Sequence, residues 1–390
     1  MNENQPGSTR IDAWFLSIAA LVSTALALGC SGSDGRGQEK GGTKEIRTIV
    51  VRAAAFSPDA KLLVLATGPG APSASAKLAP QRAMLLFDAE SGKTLRGFEL
   101  EKPANGVFFL EGGKKLLVWK NYGEFMIYDV GTGILNDQYS GDGWVLAMMP
   151  DGKQLLVLTG DERGGALELW DAYTGRAAKK LSAKMHPGST AAISSNGKWA
   201  LIPCQPRLTK AGKIDETIMQ LWNLRKGEIR LSFALESELE PPLSFSPNSK
   251  FAVAQRLDEE NPDGRNHRFS LVVLEIPSGK VLRILEKPLR SRQIVRFSPD
   301  GKELVICDEP PRTPSENPRL RRLQAETGKQ LWSVELPVDK TEEMVCAFSA
   351  DGTKFFRGSG ETFSLRTLKL EIWDSLRGKK LHDLIPEPPK

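Results

Sequence analysis

The chain repeats one short pattern seven times, and this repeat constrains its fold more than any other feature. In each copy an apolar segment runs into a tight polar turn that ends in Lys or Thr. The copies are Phe56–Lys61, Phe109–Lys114, Met148–Lys153, Ile193–Lys198, Phe245–Lys250, Phe297–Lys302 and Phe348–Thr353. Asp-Gly and Asn-Gly between apolar runs favour hairpin turns, and Pro presets the preceding turn residue. Each copy therefore predicts a strand, a turn and a second strand.

A second pattern follows each copy of the first and ends in Gly. Its seven copies are Phe87–Gly92, Tyr128–Gly133, Trp170–Gly175, Trp222–Gly227, Leu274–Gly279, Leu323–Gly328 and Trp373–Gly378. Alternating apolar residues precede it, as in Ala166–Trp170, and another strand-like segment follows it. Each unit is therefore predicted to hold four antiparallel strands.

The spacing of the two patterns distinguishes structural connections from loops. The distance from the leading residue of each second pattern to the leading residue of the first pattern in the next unit is nearly constant, at 22, 20, 23, 23, 23 and 25 residues. Within units the gap ranges from 19 to 31 residues. A constant gap indicates a connection fixed by packing, whereas a variable gap indicates a surface loop. The prediction is an all-β chain of seven four-stranded units, with no helix beyond the N-terminal segment.

Both patterns resemble those of the WD-repeat β-propeller family, in the divergent form found in bacteria. The resemblance covers about residues 45–385 and implies a seven-bladed β-propeller over residues 45–390. Only the third and seventh units keep a literal Trp-Asp, and no His follows a Gly. In the family that His joins a hydrogen-bonded tetrad within each blade. We therefore expect these blades to depend on apolar packing and backbone ladders.

Ring closure is predicted from the last segment of the chain. Residues 379–385 match the fourth strand of the other units. The C-terminus should therefore complete the seventh blade by itself, and Glu45–Phe56 should form one long first strand of the first blade. Many family members instead donate an N-terminal strand to the last blade.

The N-terminal 30 residues predict export. Ala13–Gly29 is an uncharged apolar run of 17 residues that ends at Cys30. It resembles the bacterial lipoprotein signal, in which the Cys becomes the lipidated first residue, and this implies lipidation at Cys30 and attachment outside the cytoplasm. An uncleaved membrane anchor and a plain cleaved signal remain open alternatives. Residues 31–44 read as a flexible tether.

The sequence offers little for catalysis, and we predict that the protein is not an enzyme. It has three histidines (His186, His267 and His382) and no Gly-x-Ser-x-Gly elbow. The cysteines after Cys30 are widely spaced, so no zinc or redox pair is indicated. No cofactor or metal is therefore predicted. No nucleic-acid partner is predicted either, because the net charge of +5 is dispersed along the chain.

Two rival functions come from related propellers. Residues 324–332 resemble the tryptophan-docking repeat of eight-bladed quinoprotein propellers, some of which are dehydrogenases and some envelope assembly lipoproteins. The alternatives are therefore a quinoprotein-like or hydrolytic propeller enzyme, or a subunit of an envelope assembly complex.

The functional prediction is a monomeric propeller scaffold that binds protein partners at the outer side of a bacterial membrane. Four long polar loops are predicted between second and third strands: Gly68–Arg82, Cys204–Thr217, Arg256–Arg268 and Asp308–Arg321. Loops of this kind bind partners in propellers, and Arg is enriched in interface cores. The predicted partner-binding residues are Arg207, Arg256, Arg265, Arg312 and Arg319.

Overall fold

The computed structural model describes most of the repeat region. The described residues are 49–69, 82–100, 104–120, 123–161, 164–185, 191–204, 217–235, 244–259, 268–285, 293–308, 317–336, 342–361 and 369–385. The signal segment, the lipidation prediction at Cys30 and the tether at 31–44 lie outside them.

The first four blades contain 16 strands. They are β1 (Ile49–Phe56), β2 (Leu62–Pro69), β3 (Arg82–Asp88), β4 (Thr94–Glu99), β5 (Gly106–Leu110), β6 (Lys115–Lys120), β7 (Glu124–Asp129), β8 (Leu135–Ser140), β9 (Gly143–Met148), β10 (Gln154–Asp161), β11 (Gly164–Asp171), β12 (Ala177–Met185), β13 (Ala192–Ile193), β14 (Trp199–Cys204), β15 (Thr217–Asn223) and β16 (Glu228–Leu235).

The last three blades contain 12 strands. They are β17 (Ser244–Phe245), β18 (Phe251–Glu259), β19 (Arg268–Glu275), β20 (Val281–Ile284), β21 (Gln293–Phe297), β22 (Glu303–Asp308), β23 (Arg319–Gln324), β24 (Gln330–Glu335), β25 (Glu342–Phe348), β26 (Lys354–Glu361), β27 (Lys369–Asp374) and β28 (Lys379–Asp383). Within the described ranges the one helical element is the 3₁₀ turn Glu111–Gly113, so none has the length and apolar character of a membrane-spanning helix.

The strands form seven sheets of four consecutive antiparallel strands, arranged in a ring. The molecule is a seven-bladed β-propeller, which confirms the predicted fold class. The first strand of each blade is innermost, and the predicted strand ends from Phe56 to Phe348 agree with the structure to within one residue. The fourth strands lie outside, where all four residues of β20 are exposed.

Apolar packing between neighbouring blades forms the core. Each of the seven blade interfaces has its own cluster of buried apolar side chains. Both faces of a blade are covered by neighbours, so the middle strands are apolar at successive positions: Leu63, Val64, Leu65 and Ala66 are all 0% exposed. A sheet buried on both faces requires this continuous apolar run instead of strict alternation.

A serine organises the first turn in five blades. Its hydroxyl donates to the Asp or Asn two residues on, over 2.5–2.8 Å, and accepts the backbone N–H five residues on, over 2.9–3.0 Å. The five serines are Ser57, Ser194, Ser246, Ser298 and Ser349. The side-chain oxygen of this Asp or Asn also accepts a hydrogen bond from the backbone N–H two residues on. In the sixth blade the N–H of Lys302 donates to Asp300 at 3.0 Å. These bonds explain why the first pattern recurs in the sequence.

We expect Ser298→Ala to lower the free energy of unfolding by about 1 kcal/mol, because it removes two hydrogen bonds of this turn. Asp300→Asn should be nearly neutral at pH 7, because Asn196 and Asn248 accept the same bonds in their own blades. Bonds from Ser298 and from the backbone hold the pKa of Asp300 below its ordinary value of 3.8.

The carboxyl group of Asp300 therefore binds fewer protons in the folded state than in the unfolded state. The stability that its lowered pKa contributes is lost as the pH falls below the ordinary pKa of 3.8. Urea unfolding at pH 7 and pH 3 measures both effects. A steeper acid loss in Asp300→Asn than in the wild type would contradict the account.

The second pattern forms the turn between third and fourth strands. Where it has Asp after the aromatic residue, the carboxylate accepts the N–H three residues on, at 2.6–2.9 Å; these residues are Asp88, Asp129, Asp171 and Asp374. The closing Gly has φ between 64° and 77° in all seven copies. This left-handed conformation favours Gly, so the second pattern is also a turn-forming device.

The ring closes between the seventh and first blades by side-chain contacts. Strand β1 pairs with β2 and the seventh sheet consists of β25–β28, which confirms the predicted closure from Ile49 onward. The residues from Glu45 to 48 lie outside the described ranges. Lys354 Nζ donates to the carbonyl of Ala60 at 2.9 Å and Thr94 Oγ1 to that of Ile385 at 3.2 Å. Apolar side chains of both blades share one buried cluster.

Three tryptophan side chains each have a hydrogen-bond partner on their own strand. The indole N–H of Trp170, Trp222 and Trp373 donates to the side chain two residues earlier, at 2.8, 3.0 and 3.2 Å. The acceptors are Glu168, Gln220 and Glu371. A residue two positions back lies on the same face of a strand, so this bond forms within one strand.

Candidate binding site in the central channel

The innermost strands surround a cavity of about 600 Å³. Its wall is formed by the ends of the first strands and by the turns that follow them, including Pro150, Ser195, Pro247 and Pro299. We call this end of the ring the turn face. The second-to-third connections leave at the opposite end, which we call the loop face, because strands alternate in direction. The cavity volume lies within the range of small-ligand and peptide side-chain sites.

Seven positions, one in each first strand, are equivalent, and those of the second to sixth blades line the cavity. Each lies directly before the residue that ends the first apolar segment. The residues are Ala55, Phe108, Ala147, Ala192, Ser244, Arg296 and Ala347. Five of these positions are apolar, and the two polar residues lie in the neighbouring fifth and sixth blades.

Arg296 carries the one charge among the described residues that line the cavity. It is the exposed residue of β21, whose other residues are buried or half-buried. The surrounding protein nevertheless desolvates the guanidinium, which lowers its pKa below the ordinary value. Arginine stays charged at neutral pH. The described part of the chain provides no carboxylate as an ion-pair partner for Arg296.

Ser244 is the neighbouring polar group in the cavity wall. The residue is 1% exposed, and its Oγ has no hydrogen-bond partner among the described residues. An unsatisfied buried hydroxyl costs about 1–3 kcal/mol, so such groups usually have a ligand or a water.

The rim of the turn face is built by contact between successive turns. A Cβ on Gly301 would lie 3.3 Å from Cδ of Pro247 in the preceding blade, and Gly301 also has a φ of 72°. Gly352 approaches Pro299 in the same way. The turns of the sixth and seventh blades therefore each lie against the proline of the preceding blade at the mouth of the cavity.

The predicted partner-binding arginines are not shown to come together. Arg207, Arg265 and Arg312 lie outside the described residues. Arg256 and Arg319 were predicted in loops, and this was wrong: Arg256 lies in β18 and Arg319 begins β23, because the strands extend further into the long connections. Arg319 pairs with Glu335 on the next strand at 3.2 Å.

The thiols and the last histidine have structural surroundings. Cys307 is fully buried, and burial raises the pKa of its thiol well above the ordinary value. Cys346 is half-buried, and both are free thiols. His382 lies in β28, as predicted, and its Nε2 contacts the carbonyl of Glu90 across the ring closure. In the described ranges no three His, Cys, Asp or Glu side chains are placed to hold a metal ion.

Comparisons with known proteins found a similarity of fold. No protein-family model matches the chain, and no curated protein matches it. Among solved structures, a chain described as Kuenenia stuttgartiensis hydrazine synthase aligns with a TM-score of 0.57 and 14% sequence identity, over 87% of this chain and 99% of that chain. The similarity is one of fold alone. Membership of the WD-repeat family stays a prediction.

Sequence reasoning missed Ser244 and Arg296 because it looked for function in long loops. One signal was present in the sequence. When the seven first patterns are aligned on their leading residues, the preceding column holds small or apolar side chains in five units, Ser in the fifth and Arg in the sixth. A charge in a column that faces the channel marks a candidate binding residue.

Proposed function

We propose that the protein is a non-catalytic propeller that binds a protein partner at the turn-face mouth of its central channel. The observation that carries this proposal is the cavity of about 600 Å³ with Arg296 among side chains that, apart from two serines, are apolar. Apolar walls with a few convergent polar groups are typical of binding sites. A catalytic site would need a nucleophile with a base, or an acid–base pair, beside such a group.

The proposal includes a location outside the cytoplasm of a bacterium, with a lipid on Cys30. The apolar run before Cys30 and the polar segment 31–44 support it. If these 14 residues form a flexible tether, as the sequence predicts, its root-mean-square span would be roughly 20 Å. The propeller would then stay near the membrane, and its partner would be an envelope protein.

An enzymatic role is the rival. Hydrazine synthase is an enzyme, but a fold similarity at 14% identity does not transfer an activity. The seven blades also differ in number from the eight-bladed quinoproteins that residues 324–332 resemble. This difference favours binding over quinone chemistry.

A cross-linked pull-down from intact cells tests the proposal. Ala147→Trp places a large ring in the cavity wall, and we expect it to reduce partner recovery at least about tenfold, since lost complementarity at an interface centre costs more than about 1.4 kcal/mol. Leu282→Trp is the matched control on an exposed outer strand and should leave recovery unchanged.

Removal of residues 261–266 from one long loop completes the comparison. The deletion should leave both partner recovery and the free energy of unfolding nearly unchanged. Loss of the partner with this deletion, together with full recovery by Ala147→Trp, would move the contact to the loop face and contradict our assignment.

A further inference from the structure

We propose that Arg296 and Ser244 together bind a carboxylate group that enters the channel from the turn face. This inference rests on the proposed function, because it assigns the chemical group by which the partner is recognised. The carboxylate belongs to an acidic side chain or a C-terminus of the partner.

The two donors lie in one place because of the ring geometry. Ser244 in β17 and Arg296 in β21 occupy equivalent positions on the innermost strands of neighbouring blades. Both line the same cavity. The turns of the sixth and seventh blades lie against the prolines of the preceding blades at the mouth of this cavity.

The donor set matches a carboxylate. A guanidinium offers five N–H donors and no acceptor, and it binds a carboxylate through two parallel hydrogen bonds. A serine hydroxyl adds one further donor to a carboxylate oxygen. The Oγ of Ser244 has no partner among the described residues, so the ligand would satisfy a buried group that is otherwise unpaired.

The charge of the cavity also favours a carboxylate over a phosphate. One cation lies among its described lining residues, and most of the others are Ala, Pro, Phe, Leu, Met or Ile. A carboxylate leaves the pair neutral. A phosphate dianion would leave a net negative charge beside apolar walls, and burying an uncompensated charge is unfavourable.

The test uses full-length protein with ¹⁵N-labelled arginine and follows the Arg296 Nε–Hε resonance by NMR. The resonance is identified by its absence from Arg296→Gln. The probes are Ac-Ala-Ala-Glu-Ala-Ala-NH₂, the same peptide with Gln in place of Glu, sodium glutarate and sodium phosphate. We expect a saturable shift with the Glu peptide and none with the Gln peptide. Ser244→Ala should weaken binding of the Glu peptide by several-fold, since it removes one hydrogen bond to a charged group.

Arg283→Gln is the matched control, because Arg283 is exposed on the outer strand β20, and it should leave the shift intact. Equal shifts with the Glu and Gln peptides, or a response to phosphate alone, would overturn the carboxylate assignment. Glutarate that binds as tightly as the Glu peptide would keep the assignment and contradict the protein-binding function. Tighter binding of the Glu peptide supports both.

Discussion

Phe356→Ala should lower the free energy of unfolding by about 3–5 kcal/mol, the usual cost of removing a buried aromatic ring. Phe356 is 0% exposed and lies in the apolar cluster shared by the seventh and first blades. These two blades come from opposite ends of the repeat region, with no strand shared between them. The contact between the first and seventh blades therefore depends on side-chain packing and a few polar contacts. Removal of the phenyl ring of Phe356 weakens this contact directly. Urea unfolding measures the effect.

Phe355→Ala is the matched control for the closure. Phe355 is equally buried on the same strand but packs in the cluster between the sixth and seventh blades, which are consecutive in the chain. We expect a similar loss of stability. Hydrogen exchange in β1 and β25, below the concentration of urea that unfolds the molecule, should accelerate more in Phe356→Ala. Equal exchange in both variants would show that the closure is no weaker than the other interfaces.

Glu371→Gln should lower the free energy of unfolding by about 3–5 kcal/mol, the usual cost of breaking a buried ion pair by removing one of its charges. Arg357 Nη1 lies 3.2 Å from Glu371 Oε2, and the two side chains are 0% and 8% exposed. The amide still accepts the indole N–H of Trp373, since Gln220 accepts the corresponding bond from Trp222. The substitution therefore isolates the charge. Chemical denaturation at pH 7 gives the measurement.

Two controls separate charge from packing at this pair. Lys380 lies 3.6 Å from Glu371 and 2.8 Å from Asp383, and its own side chain is 41% exposed, so Lys380→Ala should cost under about 1 kcal/mol. The double variant Arg357→Met with Glu371→Gln should recover most of the lost stability, because it removes the buried cation together with its carboxylate. A double variant no more stable than Glu371→Gln alone would assign the effect to packing instead.

The sequence predicted the fold because its signals are local. Five of the seven first turns depend on a Ser, an Asp or Asn and a following N–H within six residues, and each second turn depends on a Gly with positive φ. Such devices are visible in the sequence wherever they occur. The closure was also predictable, because residues 379–385 repeat the pattern of a fourth strand.

The candidate site was not predicted because it is assembled from single residues of neighbouring blades. Ser244 and Arg296 are 52 positions apart, the difference between their numbers, and neither belongs to a motif. Their convergence depends on which face of an innermost strand points to the channel. The residue at which β23 begins was also not predicted, so Arg319 was placed in a loop instead of at the start of this strand.

The central claim is that a protein partner binds at the turn-face mouth of the channel, and site-specific photo-cross-linking in cells tests it most directly. Benzoylphenylalanine in place of Phe108 puts the reactive ring in the cavity wall, and the same residue in place of Leu282 puts it on the outer strand of the fifth blade. The account predicts a covalent adduct with one envelope protein from position 108, lost when Arg296→Gln is added, and none from position 282. An adduct from position 282 with none from position 108 would contradict it.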